Sequence, residues 1–108
     1  MDFNAYQNAA RKTALYADAF RVTYPALGLA SEAGEVAGKV KKVLRDRGGE
    51  FGEDQISAIR DELGDVLWYV ATLAADLGLE MDEIAAGNIE KLRSRLERGA
   101  IQGDGDQR

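Results

Sequence analysis

Apolar residues recur along this chain at spacings of three and four, the helical period, and strict alternation of strand type is scarce. Phe3, Tyr6, Ala10, Ala14 and Ala17 form the first such series, with Asp2 or Asn4 placed to cap it. Around Thr23-Tyr24-Pro25 that helix is expected to end and a second to begin, because proline fits a first turn but not an interior. The second series, Leu29, Ala33, Val36, Val40 and Val43, stops near Gly48-Gly49. Ile56, Ile59, Leu63, Val66, Val70, Leu73 and Leu77 make the third, closed by Gly78. Ala85, Ile89, Leu92 and Leu96 make the fourth, which starts near Asp82. After Gly99 the stretch AIQGDGDQR has no period, so residues 100–108 are expected to be a mobile tail. The pattern predicts an all-α fold, a single domain over residues 1–108 built as a four-helix bundle-like module. A chain of 108 residues has a small core of its own, which favours an oligomer.

Charge and missing residue types narrow the chemistry. Fourteen Lys+Arg against nineteen Asp+Glu leave a net charge of −5. Sequence-independent nucleic-acid binding and anionic membranes both need a basic surface, so neither is an expected partner. No apolar run approaches membrane length, and the N-terminus lacks the basic and apolar blocks of a signal peptide, so a cytoplasmic location is expected. Cysteine is absent, which removes disulfides and thiolate chemistry. Histidine is absent as well, and with it go zinc hydrolase sites, Ser-His-Asp triads and imidazole acid–base catalysis.

Two short stretches stand out, SEAGE at 31–35 and DELGD at 61–65. Each holds two carboxylates three apart, Glu32 with Glu35 and Glu62 with Asp65, and each has a glycine just before the second. At about 100° per residue, Glu32 and Glu35 fall roughly 60° and 120° from the Leu29 stripe of the second helix. Glu62 lies about 120° from the Ile56 stripe of the third, and Asp65 about 180°. If the two helices pack through their stripes, the four carboxylates converge at one border. The plain alternative is a solvated acidic face, with Ser31 as an N-cap and the glutamates favoured by the helix dipole. Leu27 and Leu29 argue that the helix has already begun before Ser31. Gly34 and Gly64, each costing about 1 kcal/mol in a helix relative to alanine, leave clearance for a helix, a metal or a phosphate.

Clustered carboxylates without histidine repel one another unless a cation sits among them. All-oxygen ligation selects a hard ion, Mg²⁺ or Mn²⁺, and a di-iron carboxylate bundle would require histidines that are missing. On the fourth helix Asn88, Lys91 and Arg95 follow an i, i+3, i+7 spacing and form one stripe. A lysine and an arginine there would neutralise phosphate oxygens and leaving-group charge, or else form an ordinary basic face near a helix C-terminus. Tyr6, Gln7, Tyr16 and Trp68 are candidates to contact a base, against the plainer reading of core or subunit interface. Trp68 lies about 120° from the Ile56 stripe, which would expose it in a monomer and mark a second buried surface.

LGLASEAGEV, then RDELGDVLWYV, then NIEKLRSR resemble the MazG-type nucleoside triphosphate pyrophosphohydrolases of the all-α NTP pyrophosphatase superfamily, over residues 24–98. That family's signature is Glu-x-x-Glu, Glu-x-x-Asp and Asn-x-x-Lys-x-x-x-Arg on successive helices. The resemblance implies a Mg²⁺-dependent enzyme that splits a (deoxy)nucleoside triphosphate into monophosphate and pyrophosphate. It makes Glu32, Glu35, Glu62 and Asp65 metal ligands, one of the glutamates also orienting or deprotonating the attacking water. It gives Lys91 and Arg95 the phosphates and Asn88 the nucleotide, and it implies a homodimer or homotetramer. The chain departs at Ser31, where many members carry a further glutamate, and at Ala58 and Arg60, where several carry a lysine. Two rival readings remain at this level. One is a relative restricted to dCTP, dUTP or phosphoribosyl-ATP; the other is a non-catalytic acidic helical oligomer that binds a protein partner.

Overall fold

The computed structural model describes residues 1–108 and is all-α, with four helices and no strand. They are α1 (Phe3–Arg11), α2 (Thr23–Arg47), α3 (Glu53–Asp76) and α4 (Met81–Glu97). No helix is long and apolar enough to cross a membrane. Asp2 caps α1 by accepting the Ala5 N–H at 2.7 Å. Helix α2 ends at Gly48, whose φ of 60° is the left-handed conformation that glycine adopts without a Cβ penalty. Helices α2 and α3 form an antiparallel hairpin. Gly28 faces Tyr69, Glu32 lies with Asp65 and Lys39 reaches Glu62, so numbering rises along one helix as it falls along the other.

The first helix is shorter than its apolar series predicts. It stops at Arg11 instead of continuing through Ala17, and Thr13 turns its hydroxyl and its N–H back to the Ala10 carbonyl. The cause is tertiary. Asp76, at the end of α3, accepts hydrogen bonds from the Tyr16 hydroxyl at 2.6 Å and the Val22 N–H at 2.9 Å, with Arg21 at 3.7 Å. Val22 is held at φ 67°, a costly conformation for a β-branched residue. That anchoring pulls residues 12–22 out of helical register and sets the start of α2, so Ser31 lies two turns inside the helix and is not a cap.

Gln7 joins three elements. It is 5% exposed, donates to the Ala71 and Leu79 carbonyls, and accepts the Met81 N–H at 3.2 Å. Asn4 accepts the Asp82 N–H, so α1 caps α4 from outside, in place of the N-cap bond that Glu80 does not make. Ala10, Ala71 and Met81 form the small core between these pieces, with Tyr6, Leu67, Trp68 and Val70 packed against it.

The bundle does not close within one chain. Helix α4 leans chiefly on α1, and the face expected to be its buried stripe is open, with Ile89, Leu92 and Leu96 exposed. Ile56 and Leu63 of α3 are exposed too. The radius of gyration is 16.7 Å, against about 13 Å for a compact chain of this length. Residues 100–108 curl back over the end of α4, with hydrogen bonds to Lys91, Arg95 and Arg98.

Candidate metal and nucleotide site

The hairpin register brings three of the four signature carboxylates together. Oxygens of Glu32, Glu62 and Asp65 all lie within 4.8 Å of one another, Glu32 and Glu62 half-buried and Asp65 exposed. Glu35, one turn on from Glu32, is exposed and stands outside this group. The neighbouring Glu62 side chain, desolvation and the charges of Asp65 and Glu35 push the Glu32 carboxyl above the usual range. The negative field reaches further. Burial and Tyr24 raise the Tyr69 phenol, with Glu32 and Asp65 adding to the effect.

Lys39 is a member of this site that the sequence reading passes over. Its Nζ stands 3.4 Å from Glu62 Oε1 and partly offsets the crowded charge. It follows Glu32 by seven residues, two helical turns, and that spacing is the signal that would have found it.

The donor set fits a hard cation. Three carboxylates with no nitrogen or sulfur among them match Mg²⁺ or Mn²⁺. Their span needs only slight closure to reach the oxygen–oxygen separations of about 3–4 Å in an octahedral shell. A cation would also offset the crowding of negative charge that pushes the Glu32 carboxyl up.

Beside the carboxylates is a recess of about 380 Å³ lined by Thr13, Glu32, Asp65, Trp68 and Tyr69. Trp68 is half-buried, not exposed as its angle suggested. Its indole N–H donates to Thr13 Oγ1 at 2.8 Å and its ring meets Tyr69 edge-on at 5.0 Å. Tyr24 stands between Tyr69 and Tyr16, stacked on the latter at 4.9 Å. The other aromatic and amide candidates are absorbed by the fold. Gln7 is a three-way clamp, Tyr16 is bound to Asp76, and Tyr6 packs on the core.

The glycines divide unexpectedly. A Cβ on Gly34 or Gly64 would meet nothing within 4 Å, so no part of the chain uses the clearance they provide. A Cβ on Gly28 would collide with the Tyr69 ring. Close helix packing therefore rests on Gly28, and the space beside the carboxylates is left open.

The basic stripe is not assembled with the carboxylates within one chain. Asn88 is exposed, while Lys91 and Arg95 both bind Asp106 of the tail.

Residues 23–99 match the MazG nucleotide pyrophosphohydrolase domain. The chain belongs to that family. The MazG match begins at the first residue of α2 and runs past the end of α4, so it takes in the hairpin and the basic stripe. The chain is also similar along its whole length to the Gene 37 protein of Mycobacterium phage L5, at 44% identity and with all of both chains covered. No solved structure matches it.

Proposed function

We propose that this MazG domain hydrolyses (deoxy)nucleoside triphosphates to the monophosphate and pyrophosphate, with Mg²⁺ or Mn²⁺ as cofactor. The observation that carries the reading is the meeting of Glu32, Glu62 and Asp65 at the border of the α2–α3 hairpin. These three hold the cation, and Glu35 completes the set from the adjacent turn. When bound, the ion supplies Lewis-acid polarisation of phosphoryl oxygens and lowers the pKa of water. One of the glutamates also orients the attacking water or takes its proton. Lys91 and Arg95 bind phosphate oxygens and steady the charge of the departing pyrophosphate. Asn88 anchors the nucleotide, and the recess at Trp68 and Tyr69 takes the base or sugar.

A homodimer or homotetramer supplies what one chain lacks. The open apolar face of α4 and the exposed Ile56 and Leu63 of α3 support self-association, which would cover them and bring a basic stripe to a carboxylate cluster. Light scattering on the eluted protein measures the assembly.

Incubation with a panel of nucleotides and Mg²⁺, followed by product separation, tests the activity. Monophosphate and pyrophosphate are expected. Diphosphate and orthophosphate would contradict the reading, and the pattern across the panel separates a broad enzyme from one restricted to dCTP, dUTP or phosphoribosyl-ATP.

A further inference from the structure

The tail places a carboxylate on the two cations of α4. Asp106 Oδ1 accepts from Lys91 Nζ at 2.8 Å and from Arg95 Nη2 at 2.9 Å, and the Asp106 carbonyl accepts from the same Nη2 at 2.8 Å. The curl is built to reach them. Arg108 donates to the Ile101 and Gly105 carbonyls, Arg98 donates to the Arg108 carbonyl at 2.7 Å, and Gly103 and Gly105 turn at φ 120° and 81°.

Asp106 fills this site incompletely. The Arg95 side chain is only 6% exposed, yet its Nε has no hydrogen-bond partner. A buried guanidinium with an unused donor is costly, and it marks a place for an anion with more oxygens than one carboxylate offers. A phosphate presents three acceptors and can bind the guanidinium through two of them.

We propose that the tail is a built-in competitor, with Asp106 standing in for a substrate phosphate on Lys91 and Arg95 and leaving when the triphosphate or pyrophosphate arrives. This rests on the reading that those two residues bind phosphate. The Asp106 carboxylate is mostly exposed, so the closed arrangement is a shallow trap that a polyanion can displace. The apparent affinity for substrate is lowered by the fraction of molecules in which the tail is down.

The test compares wild type, Asp106→Asn and Asp104→Asn in the full chain. Asp104→Asn makes the same charge change without touching Lys91 or Arg95. Asp106→Asn is expected to tighten inorganic pyrophosphate binding in calorimetry by about 3- to 10-fold and to lower KM for nucleotide by a similar factor. Asp104→Asn is expected to do neither, and adding Lys91→Gln to Asp106→Asn should remove the gain. Equal pyrophosphate affinity in wild type and Asp106→Asn overturns the competitor, as does an equal gain in Asp104→Asn. Failure of the hydrolase reading appears separately, as no turnover by any of the proteins.

Discussion

Gly28 allows the contact between α2 and α3 to be tested with a single methyl group. Alanine there gains about 1 kcal/mol of helix propensity, but its Cβ would enter the space held by the Tyr69 ring. Tyr69 has little room to yield, with Trp68 edge-on at 5.0 Å and Tyr24 at 6.3 Å. Overpacking of this kind costs about 1–3 kcal/mol, so the net effect of Gly28→Ala runs from break-even to a loss of about 2 kcal/mol. Gly38 lies on the same helix with nothing within 4 Å of an added Cβ, so only the gain operates there. Urea unfolding followed by circular dichroism should therefore separate the two variants by at least about 0.5 M in midpoint, Gly38→Ala the higher. A Gly28→Ala midpoint at or above that of Gly38→Ala would refute the packing argument. Gly34→Ala adds a functional arm. It should stabilise like Gly38→Ala, since its space is also open, yet lower turnover because the methyl intrudes beside Glu35.

Glu35→Gln and Asp65→Asn should each abolish nucleotide hydrolysis while the helical circular dichroism persists; unchanged activity in both would remove the proposed site. Asp76→Ala should cost about 1.5–3 kcal/mol near neutral pH, since it strips acceptors from Tyr16 and Val22 and a partner from Arg21. Burial opposes the Asp76 charge, but Tyr16, Val22 and Arg21 outweigh it and hold the carboxyl below its usual range. The stability it contributes is thus complete above the ordinary value of about 3.9 and fades as pH falls through the lower folded value. Burial and the bond to Asp76 push the Tyr16 phenol up to about 12, so its share is complete below about pH 10 and fades as pH rises through 12. Thermal melts of wild type and Asp76→Ala across pH measure the first trend as a narrowing gap in acid. Gln7→Ala should lose about 2–4 kcal/mol in denaturant unfolding, because three backbone groups lose their partner.

The helices with strong periodic stripes were legible almost to their ends. The expected stop near Gly48-Gly49 is the Gly48 cap, and the third and fourth helices start and finish within a few residues of their series. The first helix was not, because a carboxylate sixty residues away from Tyr16 decides where it ends, and no local window contains Asp76. Rotation per residue and a hairpin are enough to set carboxylates at one border, and of the four expected there Glu32, Glu62 and Asp65 meet while Glu35 stays outside. Angular reading could not place α4. An apolar stripe states that a face is suited to be covered without saying by what, and here no part of the chain covers it. Gly34 and Gly64 do border open space, but the need for Gly28 is visible only once Tyr69 is opposite.

Helix α4 does not make its own beginning. Its first two amides are received by Gln7 and Asn4, from positions 74 and 78 residues earlier in the chain. Closing so long a loop is slow compared with growing a helix in place, and it costs entropy that local turns do not. The α1 residues and the start of α4 are therefore expected to order together, although far apart along the chain. In hydrogen exchange the Met81 and Asp82 amides should open together with α1, whose Gln7 and Asn4 receive them. Tags or truncations at the N-terminus would then loosen a helix at the other end of the sequence.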